Sequence, residues 1–260
     1  MSGAVASPAR PASPALQPPV LQVRGLCKAY GAIVVADDIS FALHRGECLG
    51  VIGPNGAGKS SLFNLLAGTA QPDRGSARLG GTELIGLPTH RRARLGLARA
   101  FQIPQPFPSL SVLDNVRAAA TFGASLQGQA ALQAADEALL QTGLARVAGQ
   151  PAGSLPLLDR KRLEVAKALA ARPRLLLLDE VAGGLTEPEV QQMVALVQAI
   201  QPQLALIWIE HIPHALQAVA DRVMVLNFGR CLLDDTPQLV LDSDLVREIY
   251  MGMPRDAAAA

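Results

Sequence analysis

From Val20 to Gly53 the apolar residues fall into three short runs, VLQVRGLCKAYG, AIVVADDISFAL and HRGECLGVIG, parted by glycine or charged turns. Runs of this kind predict β-strands. CLGVI, apolar on both faces, predicts a buried parallel strand. SSLFNLLAG follows with apolar residues at helical spacing and a glycine to end it, giving strand, glycine-rich loop, helix. Residues 71–86 (QPDRGSARLGGTELIG) break into turns and short strands. From about Val112 to Arg146 the chain is rich in Ala, Leu and Gln without strand character, which predicts a small helical insertion. Beyond it come the helix RKRLEVAKALAA, stopped at Arg172-Pro173, the strand LLLLDE, and a helix from about Pro188 to Ile200. The strand LALIWIEH, a further helix and the strand RVMVLNF complete the pattern. Strands alternating with helices imply an α/β fold with a doubly wound, mostly parallel sheet.

Composition narrows the class. The chain has 260 residues, of which 50% are hydrophobic, enough for a packed core, and a formal net charge of +1, which gives no support to a polyanion partner held on a broad basic face. No apolar run reaches the roughly 18 to 20 residues that a membrane-spanning helix needs. Cys27, Cys48 and Cys231 are far apart and without paired spacing, so they read as buried hydrophobes of a reducing compartment. The opening MSGAVASPARPASPALQPPV, crowded with Pro, Ala and Ser, reads as a disordered tail over residues 1–18.

The sharpest chemical signal is Gly53-Pro54-Asn55-Gly56-Ala57-Gly58-Lys59-Ser60, followed by Ser61. It satisfies G-x-x-x-x-G-K-[ST] between a predicted strand and a predicted helix. Glycines let successive N–H groups curl around a phosphate, and the helix start adds its positive end. Lys59 is placed to neutralise the β and γ phosphates and the Ser60 hydroxyl to reach Mg²⁺. Leu175 to Leu178 then run apolar into Asp179-Glu180. A buried strand delivering an aspartate towards Mg²⁺ and a glutamate towards the attacking water is an ATPase arrangement. No N-K-x-D guanine-reading motif is present, which points to ATP over GTP.

At these residues the chain resembles the ATP-binding subunits of ABC transporters, from about Val20 to Gly252. The resemblance implies a P-loop NTPase core, an N-terminal antiparallel β subdomain and a helical subdomain at about 104–170, within an ATPase domain spanning 19–252 and ahead of a tail at 253–260. It implies that Tyr30 in KAYG stacks on adenine, that Gln102 in ARAFQIPQPF senses Mg²⁺ and meets a membrane subunit, and that His211 in IWIEH contacts the γ-phosphate. The metal set is then Ser60, Gln102 and Asp179, and the catalytic set Lys59, Gln102, Glu180 and His211. ARAFQ, IEH and the terminal LVREIYMG look most like subunits serving branched-chain amino acid uptake or importers of related amides and small carboxylates. The implied partners are integral membrane permease chains and, indirectly, an extracytoplasmic solute-binding protein, with this chain peripheral on the cytoplasmic face.

SLPLLDRKR, residues 154–162, departs from the family. Leu155 to Asp159 stand where the family has a loop of the L-S-G-G-Q type, whose hydroxyl and glycine N–H groups grip the γ-phosphate of the facing subunit's ATP. Pro156 has neither hydroxyl nor N–H, and Leu158 puts a side chain where close approach needs none. As a plain helix start the stretch is well formed, with proline and Asp159 at the positive end. Val181 replaces a proline after Glu180, and Thr186 an aspartate or asparagine. These departures point to a heterodimer in which a different ATP-binding subunit supplies the intact loop. The basic run His90-Arg91-Arg92-Ala93-Arg94, with Arg99 beyond, reads as a solvated helix face rather than a nucleic-acid surface. Asp37-Asp38 reads as a turn between strands. A soluble ABC ATPase acting on ribosomes or DNA would show fused nucleotide domains or a basic extension, and neither appears. A regulatory nucleotide-binding module would have no use for Glu180.

Overall fold

The three N-terminal runs form β1 (Leu21–Tyr30), β2 (Ile33–Leu43) and β3 (Cys48–Ile52). This computed structural model describes residues 18–244 together with Val246 and Glu248. The first 17 residues, the 253–260 tail and all of LVREIYMG but those two residues lie outside the described residues.

β1 and β2 pair antiparallel and join β4 (Arg74–Leu79) and β5 (Thr82–Glu83) in a four-stranded sheet of order β2-β1-β4-β5. The larger sheet adds β6 (Leu97–Ala100), β7 (Leu175–Asp179), β8 (Ala205–Ile209), β9 (Arg222–Asn227) and β10 (Arg230–Asp235). Its order is β10-β9-β3-β8-β7-β6, parallel throughout except for β10 at one edge. The helices are α1 (Lys59–Ala67), α2 (Thr89–Arg94), α3 (Val112–Gly123), α4 (Gly128–Gln141), α5 (Leu157–Ala170), α6 (Glu187–Ile200), α7 (Pro213–Val219) and α8 (Pro237–Leu241).

β3, β7 and β8 are buried along their whole length, as strands covered on both faces must be. Alternate residues serve opposite faces. Leu175, Leu177, Ile207 and Ile209 pack with α1 and the antiparallel sheet, whereas Leu176, Leu178, Leu206 and Trp208 pack with α5, α6 and α7. Each leucine of β7 is fully buried, a contribution of roughly 2 kcal/mol apiece. A third cluster joins α3, α4 and the outward face of α5 through Val116, Ala135, Leu163 and Ala166. Thus α5 packs on the sheet with one face and on α3 and α4 with the other.

Several readings are corrected by packing. The basic run is helical, but Arg92 is 0% exposed. Its Nη1 donates to the carbonyls of Leu65 (2.6 Å) and Leu66 (2.8 Å), and its Nε to Leu87 O (2.9 Å). The carbonyls of Leu65 and Leu66, in the last turn of α1, lack helical partners, and a cation there also meets the negative helix end. Arg92 therefore caps the helix that begins in the phosphate loop. Asp37 and Asp38 lie within β2 rather than in a turn. Cys27 and Cys48 are buried free thiols, but Cys231 is exposed on edge strand β10.

Candidate active site

The parallel registers bring the chemistry to one sheet edge. Val51 pairs with Ile209, Asp179 with Ile209, and Ala100 with Leu178. The residues that follow each strand, Gly53, Glu210-His211, Glu180 and Gln102, therefore emerge side by side beyond the carboxyl ends, where open α/β sheets hold ligands.

Between β3 and α1 the loop 53–58 closes tightly. Gly53 (φ +155°) and Gly58 (φ +106°) have room for nothing larger: an added Cβ would lie 2.2 Å from Leu226 O and 2.3 Å from Val35 O respectively. Gly229 N–H donates to Ala57 O at 2.9 Å, so the β9–β10 turn braces the loop. Lys59 is 6% exposed. Its Nζ reaches back to Gly53 O (2.6 Å) and Pro54 O (3.1 Å), placing the ammonium within the loop's curl. Burial lowers its pKa, while the charges of Glu180 and Asp179 oppose that fall. Asn55, Gly56 and Ser60 are exposed along the same curl, and Pro54 and Ser61 are half-buried. Tyr30, 54% exposed at the end of β1, has Lys28 Nζ 5.0 Å from its ring centroid.

Glu180 sits at the centre. It has φ +46°, a left-handed conformation that costs a non-glycine residue roughly 1–2 kcal/mol. Its N–H donates to Ile209 O (2.9 Å), and its carbonyl accepts from Gly183 N (3.1 Å) and Lys161 Nζ (3.0 Å). Gln102 Nε2 donates to Glu180 Oε2, and His211 Nε2 lies 2.8 Å from Oε1. Gln102, Glu180 and His211 are thus joined through one carboxylate, which could take a proton from a water on that edge. Asp179, beside them, is 6% exposed and bonded to Arg99 Nη2.

Three residues of this edge carry no sequence motif. Arg99, read as solvated, is nearly buried, donates to Asn64 Oδ1 (2.9 Å) and Asp179, and lies over the rings of Phe63 (5.5 Å) and Phe101 (4.9 Å). It ties β6 to α1 and β7. Lys161 and Glu210 are 3% and 1% exposed. The one sequence signal for Arg99 is its place two residues before Phe101-Gln102 on the short strand β6.

At the stretch SLPLLDRKR, Leu155 ends a short 3-10 turn, Ala152–Ser154, and Pro156 (φ −63°, ψ 166°) caps α5 without a side-chain hydrogen bond. Leu158 is corrected: its side chain is 8% exposed and packs inward, whereas Leu157 is the 42% exposed residue at the helix start. Thr186 caps α6, its N–H and hydroxyl donating to Glu189 Oε2 at 2.8 and 2.7 Å. Val181 is fully buried in the core beneath.

The profile of the family described as ABC transporter matches residues 36–183, more than half of the chain. The chain belongs to this family. It is an ATP-hydrolysing, ATP-binding subunit of a transporter, and its homologues work with membrane permease subunits. The high-affinity branched-chain amino acid transport ATP-binding protein BraF of Pseudomonas aeruginosa is 32% identical over 250 residues, covering 90% of this chain and 98% of the relative. The lipopolysaccharide export system ATP-binding protein LptB of Acidithiobacillus ferridurans is 32% identical over 234 residues, covering 90% and 97%. Among solved structures, the ADP conformation of an ABC transporter's ATP-binding cassette superposes with a TM-score of 0.83 at 23% identity, over 91% of this chain and 100% of that one. The cbiO1 protein of Clostridium perfringens gives 0.78 at 26% identity, over 92% and 97%. Among the described residues no helix is long and apolar enough to cross a membrane.

Proposed function

We propose that this ATPase drives import of branched-chain amino acids or related small amide or carboxylate solutes, bound peripherally at the cytoplasmic membrane face through permease chains. The observation that carries the catalytic reading is the convergence of Lys59, Gln102, Asp179, Glu180 and His211 on one sheet edge. The solute class is supported by BraF and its kind, whose names specify branched-chain amino acid transport.

The backbone of Gly53, Pro54, Asn55, Gly56, Ala57 and Gly58, with Ser60 and Ser61 at the helix start, wraps the phosphates, and Tyr30 stacks on adenine. Lys59 offsets β- and γ-phosphate charge. The donor set of the Ser60 hydroxyl, the Asp179 carboxylate and the Gln102 amide oxygen suits Mg²⁺, a hard ion that takes few protein ligands and relies on substrate phosphates. Held by these three groups, Mg²⁺ would supply positive charge to offset that of the phosphates. Glu180 accepts a proton from the attacking water as its oxygen bonds to the γ-phosphorus and the bond to the β-phosphate oxygen breaks. His211 leaves Glu180 Oε1 to donate to the γ-phosphoryl group.

The partner in the nucleotide sandwich is a second, different ATP-binding subunit. Pro156 offers no N–H and Leu157 covers the start of α5, so this chain provides a sound phosphate loop and a poor facing grip. The test is the subunit composition of the membrane complex isolated through tagged Glu180→Gln chain in ATP and Mg²⁺. One copy of this chain, a different ATPase chain and permease chains are expected. Two copies of this chain, or a complex without permeases, overturn the reading.

A further inference from the structure

Three side chains on the inward face of α5 grip the segment that carries Gln102. Lys161 Nζ donates to Gln102 O (3.4 Å), Glu164 Oε1 accepts from Gln105 N (2.9 Å), and Lys167 Nζ donates to Gln105 O (3.2 Å). Lys167 Nζ also donates to Glu164 Oε1 at 2.7 Å, closing the set. Lys161 does more than hold this segment, because the same ammonium donates to Glu180 O at 3.0 Å. That carbonyl belongs to the left-handed residue whose carboxylate meets Gln102 and His211.

A lysine buried to 3% exposure is expensive to desolvate, and burial lowers its pKa. An apolar side chain of the same length would fill the space without that penalty. Its charge is offset by the fields of Glu210 and Glu180, the two carboxylates facing it. Glu210 acts on Lys161 through its field, while its own carboxyl accepts from the Ala182 and His211 backbones and leaves Oε1 without a hydrogen-bond partner among the described residues. The outer face of α5 is packed on α3 and α4. A displacement of those helices reaches Glu180 and Gln102 together through one side chain.

We propose that Lys161 is a positioning residue for hydrolysis, holding the Glu180 turn and the base of the Gln102 segment in register with α5, so that the site is complete only while α5 is seated. The proposal rests on the reading of Glu180 as base. It gives the poorly gripping helix start a function: α5 serves its own subunit's ATP from its inner face.

The experiment measures ATP turnover against ATP concentration in the isolated membrane complex carrying wild-type chain, Lys161→Met, Lys161→Arg or Glu180→Gln. Lys161→Met is expected to lower kcat roughly 100-fold with KM changed less than about threefold, the mark of misplaced catalytic groups in an intact binding site. Lys161→Arg, which keeps charge and donors, is expected to recover most of kcat. Equal losses in kcat for the Arg and Met variants, a loss confined to KM, or unchanged turnover would each overturn the proposal. If the Met variant does not assemble, Lys161→Gln is read by the same criteria. Fast turnover by Glu180→Gln would overturn the base reading instead, so the two failures are distinguishable.

Discussion

Glu210 is a carboxylic acid 1% exposed at the end of β8. Burial and the nearby Glu180 charge push its pKa from an ordinary 4.5 up to about 7, against the opposing charge of Lys161 and hydrogen bonds from the Ala182 and His211 backbones. In the unfolded chain it ionises at its ordinary value, so between these two values the folded state binds more protons than the unfolded. Stability then falls as pH rises, by about 1.4 kcal/mol per pH unit through that window. The full effect is present below the unfolded pKa and lost once pH passes the folded one. Over the interval this amounts to roughly 3 kcal/mol. Glu210→Gln removes the titration and keeps the shape. Urea unfolding of both proteins between pH 4.5 and 8 should show the variant gaining roughly 3 kcal/mol relative to wild type across that range, with the titrations of groups not coupled to Glu210 cancelling in the difference. Two curves that stay parallel within about 0.5 kcal/mol would refute the electrostatic reading of this edge.

Other consequences follow from named contacts. Arg92→Met should destabilise the fold by about 3 kcal/mol in chemical denaturation, because the carbonyls of Leu65, Leu66 and Leu87 lose their buried donor. Gly58→Ala should lower the melting temperature and weaken ATP binding, since its Cβ would stand 2.3 Å from Val35 O at a φ of +106°. Lys59→Ala should raise the Kd for ATP by at least about tenfold in equilibrium binding, with little effect on the melting temperature of the nucleotide-free chain.

The sequence made the long buried strands and the phosphate loop plain because their signals are local. LLLLDE is apolar on both faces and GPNGAGKS is contiguous, so neither depends on distant partners. β6 gives no strand signal because LARA is four residues long, with Arg99 turned towards an ion pair with Asp179. The basic run misleads for a related reason. A charge pattern cannot reveal that one of four cations lies against the frayed carbonyls of a helix 26 residues earlier, as Arg92 does to Leu66. Lys161 and Glu210 are invisible as site residues for the same cause: Lys161 owes its role to the seating of α5 against Gln102 and Glu180, and Glu210 to the strand register that pairs Asp179 with Ile209. At the helix start, proline and leucines read as a poor phosphate grip. Which leucine faces outward depended on the rotation of α5, and it is Leu157 rather than Leu158.

The most direct test of the account compares ATP binding and turnover by wild-type and Glu180→Gln chain in the same isolated membrane complex. The account predicts that the variant retains ATP with an affinity within about threefold of wild type while turnover falls at least roughly 100-fold. Turnover within about threefold of wild type would contradict it, and would mean that the carboxylate joined to Gln102 and His211 is not the group that activates water.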